Sequence, residues 1–238
     1  MPKEIKTTAT VSLTKRKKLR VFVAMVLAVI AAAYAWRAYE LKFAVLQLWS
    51  EGATTTSWKA NSNGKLWDKG AVPTTILPLL LITPRFIGID RNVTDPDRVA
   101  RAIAKLSADE IYLSPGEGTV QSELLRGLAD YGRVRVLDLN GTVIDSEGWR
   151  QIGRMRNLRR LILDQSNITA EYAECLRNKP ALEELTLDET KVDDRLIDIL
   201  ISLKTLKKLN ITQTAITSAG FETLRKAHPF TEIKGEPR

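Results

Sequence analysis

Leu158-Arg159-Arg160-Leu161-Ile162-Leu163, Leu182-Glu183-Glu184-Leu185-Thr186-Leu187 and Leu206-Lys207-Lys208-Leu209-Asn210-Ile211 are one pattern written three times. The copies lie 24 residues apart, and Val134-Arg135-Val136-Leu137-Asp138-Leu139 precedes them at the same interval. Self-similarity at a period of this size marks an array of stacked units. The register persists beyond the apolar residues. Thr142, Ser166, Thr190 and Thr214 share one position, and Ile144, Ile168, Val192 and Ile216 share another. The next position holds Asp145, Thr169, Asp193 and Thr217, all residues suited to begin a helix as its N-cap. A helical pair follows in each copy: Trp149 and Ile152, Ala173 and Leu176, Ile197 and Leu200, Phe221 and Leu224.

Each unit reads as a short strand, a turn, a capped helix and a loop back. A single unit cannot bury its apolar face, whereas stacked units share a core and pair their strands into one parallel sheet. The Thr and Ser column is expected to hydrogen-bond adjacent turns. Weaker copies extend the array upstream. Ile111-Tyr112-Leu113 is followed by Val120, Leu124, Leu125 and Leu128, with two extra residues in the turn from Ser114 to Thr119, so its strand lies 26 residues before the next. Ile87-Gly88-Ile89 with Val93-Thr94-Asp95 forms a further copy, and Phe230 with Ile233 repeats the strand positions at the other end.

This pattern, L-x-x-L-x-L-x-x-[NT]-x-[IL] followed by a cap and a helix, resembles the leucine-rich-repeat family over about residues 85 to 236. The whole layout is similar to bacterial leucine-rich-repeat proteins with an N-terminal membrane helix. The chain departs from the commonest pattern in using Thr or Ser where many relatives place Asn, and in its two irregular first repeats. The resemblance implies an α/β leucine-rich-repeat solenoid, with a parallel sheet on the concave side and helices on the convex side, preceded by a single transmembrane helix. It also implies protein recognition through the concave face, with no catalysis, no cofactor and no small-molecule substrate.

Strand alternation tells which side chains would line that face, because leucines at 161 and 163 point inward while their neighbours point outward. One outward column holds Val136, Arg160, Glu184 and Lys208. The next holds Asp138, Ile162, Thr186 and Asn210, with Tyr112 in line upstream. The third holds Asn140, Asp164, Asp188 and Thr212. Mixed charges and hydrogen-bonding groups around a few apolar ones suit protein recognition better than phosphate tracking.

The chain has 238 residues and a formal charge of +8, and its location matters. Residues 1 to 20 carry seven basic side chains against Glu4, residues 21 to 131 carry eleven of each sign, and the remainder holds eighteen basic and sixteen acidic. Only the tail has the clustered cations that a duplex-binding surface needs, so nucleic acid is not expected as a partner. Directly after that tail, Val21 to Trp36 is an uninterrupted apolar run. As a helix it is roughly 24 Å long, slightly short of a ~30 Å hydrocarbon core, with Arg20 and Arg37 able to snorkel outward. The positive bias on its N-terminal side places the N-terminus in the cytoplasm and the rest outside. The same features fit a cleaved signal peptide, with Ala31, Ala33 and Ala35 near its end. Leu41, Ala44, Val45 and Leu48 continue at helical spacing and favour retention.

The expected organisation is therefore a basic cytoplasmic tail at 1–20, a transmembrane helix at 21–36 continuing as a juxtamembrane helix to about 49, a connector and N-terminal cap at 50–84, and the repeat domain at 85–238. Asn63-Gly64 is a hairpin signal within the connector. The function expected is a membrane-anchored adaptor or receptor-like protein that binds a protein partner. The alternatives are a secreted inhibitor or effector released by signal cleavage, and an envelope structural component.

Little points to chemistry. Cys175 is the sole cysteine and His228 the sole histidine, so neither a disulfide nor a His–Cys metal cluster can be assembled within the chain. Cys175 is expected as a small core residue, and His228 in a capping or surface role. Gly116-x-Gly118 lacks the lysine and helix of a phosphate-binding loop. Asp95, Asp97, Asp193 and Asp194 fall at helix starts, where the helix dipole favours acids. Asn92, Asn140, Asn167 and Asn210 begin N-x-T sequons, a spacing the repeat itself supplies.

Overall fold

The computed structural model describes residues 22–40, 43–44, 86–89, 93, 95–113, 119–177 and 179–236. Alternation in each motif copy turns one leucine per strand inward, and the 24-residue period puts those leucines beside one another. Seven parallel strands result, in the order β1 (Phe86–Ile89), β2 (Glu110–Leu113), β4 (Val136–Asp138), β6 (Arg160–Ile162), β7 (Glu184–Thr186), β8 (Lys208–Asn210) and β9 (Glu232–Lys234). Ile111, Leu137, Leu161, Leu185, Leu209 and Ile233 align across the sheet, and the first five are buried. Two short strands, β3 (Thr119–Val120) and β5 (Val143–Ile144), pair beyond the turn. Ile111 pairs with Leu137 at a spacing of 26 while Thr119 pairs with Val143 at 24. The two extra residues of this repeat are therefore absorbed between Leu113 and Thr119.

The other side of the core is built from α2 (Pro96–Leu106), α3 (Ser122–Tyr131), α4 (Ser146–Arg154), α5 (Ile197–Ser202) and α6 (Ser218–Ala227). Four of the expected caps form: Asp95 Oδ1 accepts from Arg98 N, Asp145 Oδ1 from Gly148 N, Asp193 Oδ1 from Arg195 N, and Thr217 Oγ1 from Gly220 N. The fifth does not. The Thr169 hydroxyl is buried with no hydrogen-bond partner among the described residues, and its segment reaches only a 3₁₀ turn at Ala173–Leu176. Thr169, Tyr172 and Asn178 are weak helix formers, and Pro180 disfavours helical geometry at the residue before it. Tyr172 instead stacks on Trp149 of α4, ring centres 5.7 Å apart. In the next repeat a 3₁₀ turn at Asp194–Leu196 leads into the six residues of α5. The capped helix expected in every unit is thus present in some and reduced in two.

The Thr column also works differently from the expectation. Thr142, Thr190 and Thr214 each donate to the carbonyl three residues earlier, Leu139, Leu187 and Ile211, closing their own turns rather than bridging to the next. Ser166 Oγ has no partner among the described residues. At these turns bridging falls to carboxylate and amide side chains, while on the opposite edge the Thr205 and Thr231 hydroxyls reach back to Leu182 O and Leu206 O. Asn167 accepts from Ile144 N and donates to Ile144 O, both at 2.9 Å, which commits the amide of that sequon. Asp164 accepts from Asp188 N, and Asp194 from both the backbone and hydroxyl of Thr217. Each of these turns contains a left-handed residue at one fixed position: Gly141, Gln165, Glu189 and Gln213 have φ between 52° and 63°. Only the first is the residue type that adopts this conformation without strain.

Two polar residues are buried on the loop side. His228 Nε2 lies 3.0 Å from Leu200 O, so the histidine joins two repeats at a helix end, in the capping role. Lys179 is 3% exposed, and its Nζ donates to Ile152 O at 2.6 Å and Gly153 O at 3.0 Å, closing the end of α4. Desolvation pulls its amine down to about 8. Burial pushes the neighbouring Cys175 thiol up to about 12, which disfavours the thiolate, and the half-buried side chain packs against the core.

Before the sheet, α1 runs from Phe22 to Glu40 with mean hydropathy 1.7 and none of its apolar window buried. Its 19 residues extend the expected helix past Trp36 to a length of about 28 Å. It is long and apolar enough to cross a membrane, as would be a signal sequence. Ala44, also helical, is fully buried in the core. The expected juxtamembrane helix beyond Ala44, and the connector and N-terminal cap at 50–84 with its Asn63-Gly64 hairpin, lie outside the described residues.

Candidate binding face and its charged rims

The sheet register assembles the first two outward columns. Val136, Arg160, Glu184 and Lys208 lie in a row, as do Tyr112, Asp138, Ile162, Thr186 and Asn210. The rows are longer than the regular motif suggested. Glu110 precedes Val136, Glu232 follows Lys208, and Lys234 follows Asn210. Their flanks lack the full leucine pattern, which hid them from the motif, although the strand spacing could have found them.

Within the rows some side chains are already engaged. Arg160 Nε donates to Glu184 at 2.6 Å, and its positive charge also acts on the Tyr112 hydroxyl. Tyr112 is half-buried, and its hydroxyl is held above the ordinary phenol range, chiefly by desolvation. Asp138 is raised by burial and by Asp164, against the lowering influence of the Asn140 N–H. Ile162 is half-exposed, and Lys208 is exposed with no ion pair among the described residues. Thr186 has a buried hydroxyl without a partner among the described residues.

The third column sits just past the strand ends, where two of its side chains serve the turns. Asp164 accepts from Asp188 N, and Thr212 donates to Asn210 Oδ1. Asp188 is raised by burial and by the nearby Asp164 and Glu189. Asn140 Oδ1 is buried without a partner among the described residues. These four residues therefore form a rim rather than part of the open sheet.

Charge is sorted across the sheet in a way that segment totals conceal. The turns that follow the strands and lead into the helical segments carry Asp145, Asp164, Asp188, Asp193 and Asp194. The loops that enter the strands carry Arg133, Arg135, Arg156, Arg159, Lys204 and Lys207. Parallel strands put all of the former on one edge and all of the latter on the other. The expectation that clustered cations occur only in the tail is corrected here, because a nearly neutral domain hides one basic and one acidic rim. Next to the basic rim is a shallow groove of about 480 Å³ between Arg156, Arg177, Lys179 and Lys204, with Ser202 and Thr205 at its wall. Among the described residues, no group of three His, Cys, Asp or Glu side chains is arranged to hold a metal ion.

No family model matches the sequence, and no curated protein matches it. Among solved structures the chain is similar to an internalin from Listeria monocytogenes, at 18% identity and a TM-score of 0.45 over 66% of this chain and 48% of that one. It is also similar to a leucine-rich-repeat protein from Leptospira interrogans, at 14% identity and a TM-score of 0.39 over 63% and 43%. This chain spans about half the length of the former. Parallel strands in register at 24-residue spacing, turns closed by Thr hydroxyls and a helical opposite layer give this chain the fold of a leucine-rich-repeat solenoid.

Proposed function

We propose that this chain is a membrane-anchored module, without catalytic activity of its own, that recognises a protein partner on the concave sheet between the two rims. One observation carries the reading: seven strands hold two ordered rows of outward side chains on a rigid frame, and parts of those rows are uncommitted. Ile162 offers an apolar contact, Lys208 a charge with no ion pair among the described residues, and Tyr112 beside the Arg160–Glu184 pair a centre of residue types enriched at binding hot spots. The helix α1, basic on its N-terminal side, is the proposed anchor, with the tail at 1–20 in the cytoplasm and the repeats outside.

The test is capture of binding proteins from a membrane-plus-envelope extract on the detergent-solubilised full chain, beside an Ile162→Lys, Lys208→Glu variant. Neither side chain makes a hydrogen bond or ion pair among the described residues, so the variant should keep the parent's circular dichroism. A protein held by the parent and lost by the variant supports the reading. Retention that survives both changes would place recognition elsewhere.

A further inference from the structure

We propose that the basic rim is a second, lipid-facing surface, which rests on the anionic phosphate headgroups of the membrane that α1 enters. The inference depends on the anchor reading above and adds an orientation to it. Three observations converge. The rim collects Arg133, Arg135, Arg156, Arg159, Lys204 and Lys207, all exposed, while the opposite rim is acidic. Arg135, Arg159 and Lys207 have ion-pair partners in Asp109 and Glu183, but exposed pairs of this kind exchange readily for other anions. Arg133, Arg156 and Lys204 have no ion pair among the described residues.

The second observation is where the apolar helix joins. Arg37, near the end of α1, donates from Nη2 to Lys105 O at 3.0 Å. Lys105 lies in the last turn of α2, at the edge where the chain enters the next strand, which is the basic edge. The ammonium of Lys105 also lies over the Phe43 ring, 5.9 Å from its centre. The apolar helix thus leaves the domain from the rim that carries the cations. The third observation is the groove between Arg156, Arg177, Lys179 and Lys204, with hydroxyls from Ser202 and Thr205 and no carboxylate in its lining. Its chemistry suits a phosphate group held by the exposed Arg156 and Lys204, since the Lys179 ammonium and the Ser202 and Thr205 hydroxyls already donate to backbone carbonyls. A juxtamembrane basic surface is drawn to anionic lipid and screened by salt. Bound this way, the solenoid stands with its acidic rim outward and its concave rows facing sideways.

The full chain would be placed in nanodiscs of phosphatidylcholine alone, or of phosphatidylcholine mixed with anionic phosphatidylglycerol, and amide hydrogen exchange followed in both. The loops around Arg133, Arg156 and Lys204 should exchange several-fold more slowly on the anionic discs. The slowing should vanish at high salt and in an Arg133→Glu, Arg156→Glu, Lys204→Glu variant, while the strand amides stay as protected as in the parent. Equal exchange on both lipids, from a chain that stays with the discs, would overturn the proposal and leave the anchor intact. A chain that will not stay with the discs after alkaline carbonate removes the anchor reading, and this one with it. Slowing on neutral discs by added inorganic phosphate, equal to that on anionic discs, would assign the rim to a soluble phosphate ligand and overturn the membrane assignment.

Discussion

The first three helical segments and the two that follow answer the same repeat in different ways. Pro96–Leu106, Ser122–Tyr131 and Ser146–Arg154 are α-helices of nine to eleven residues, although two of them belong to the repeats whose sequences are least regular. Ala173–Leu176 and Asp194–Leu196 are 3₁₀ turns in repeats whose strand motifs are the most regular. The sheet is nevertheless continuous through all of them. Strand leucines and the period specify the stack, and the helix-side segments respond to their own caps, helix formers and prolines. The room left by the missing helix is used by Lys179, which reaches back to close α4.

If that separation holds, a core leucine should matter equally beside either kind of segment. Leu137→Ala, in the repeat of α4, and Leu161→Ala, in the repeat of the 3₁₀ turn, should each cost roughly 2–5 kcal/mol in denaturant unfolding. A much smaller loss at Leu161 would mean the sheet depends on a full helix behind it.

Lys179 gives the next largest effect. Its folded amine loses its proton near pH 8 while the unfolded chain keeps it to about 10.5. Unfolding therefore takes up a proton between those values, and stability rises with pH in that window, by up to ~1.4 kcal/mol per unit. Cys175 works in the opposite sense above pH 9, because its folded thiol holds its proton up to about 12. The rise should be clearest from pH 8 to 9, continue further in Cys175→Ala, and be absent in Lys179→Met.

The caps should separate the two regions by a smaller amount. Asp145→Ala should cost about 1 kcal/mol, whereas Thr169→Ala should cost close to nothing, since its hydroxyl bonds no helix N–H. Equal losses would show that the 3₁₀ segment has a working cap. Smallest of all is the left-handed turn position, where Glu189→Gly relieves a positive φ of 54°. The gain should be about 0.5 kcal/mol, left-handed strain being partly offset by glycine's flexibility in the unfolded chain.

Strands, register and the inward or outward sense of each strand residue were legible in the sequence, because a 24-residue period and a two-residue alternation leave little freedom. The location of the two extra residues was also nearly legible, from the spacing of Val120 and Ile144. Other features were not. Thr169 and Asp145 are both acceptable cap residues, and only the helix formers that follow them distinguish the outcome. The left-handed turn is announced by Gly141 alone, and Gln165, Glu189 and Gln213 disguise it. Two rims of opposite charge escaped a count by segments, because within each period the bases precede the strand and the acids follow it. In the candidate face, Arg160 and Glu184 were legible as neighbours, while the turn-binding duty of Asp164 depends on a backbone N–H that no sequence pattern reveals.

The claim at the centre is that partners meet the sheet and not its convex side. It is tested most directly by placing a photo-crosslinking residue at Ile162, and separately at the exposed Glu222 of α6, in the full chain within its native membrane. Crosslinking of one discrete protein from Ile162, and none from Glu222, is the expected result. The same product from Glu222, or from Glu222 alone, would contradict recognition on the concave face.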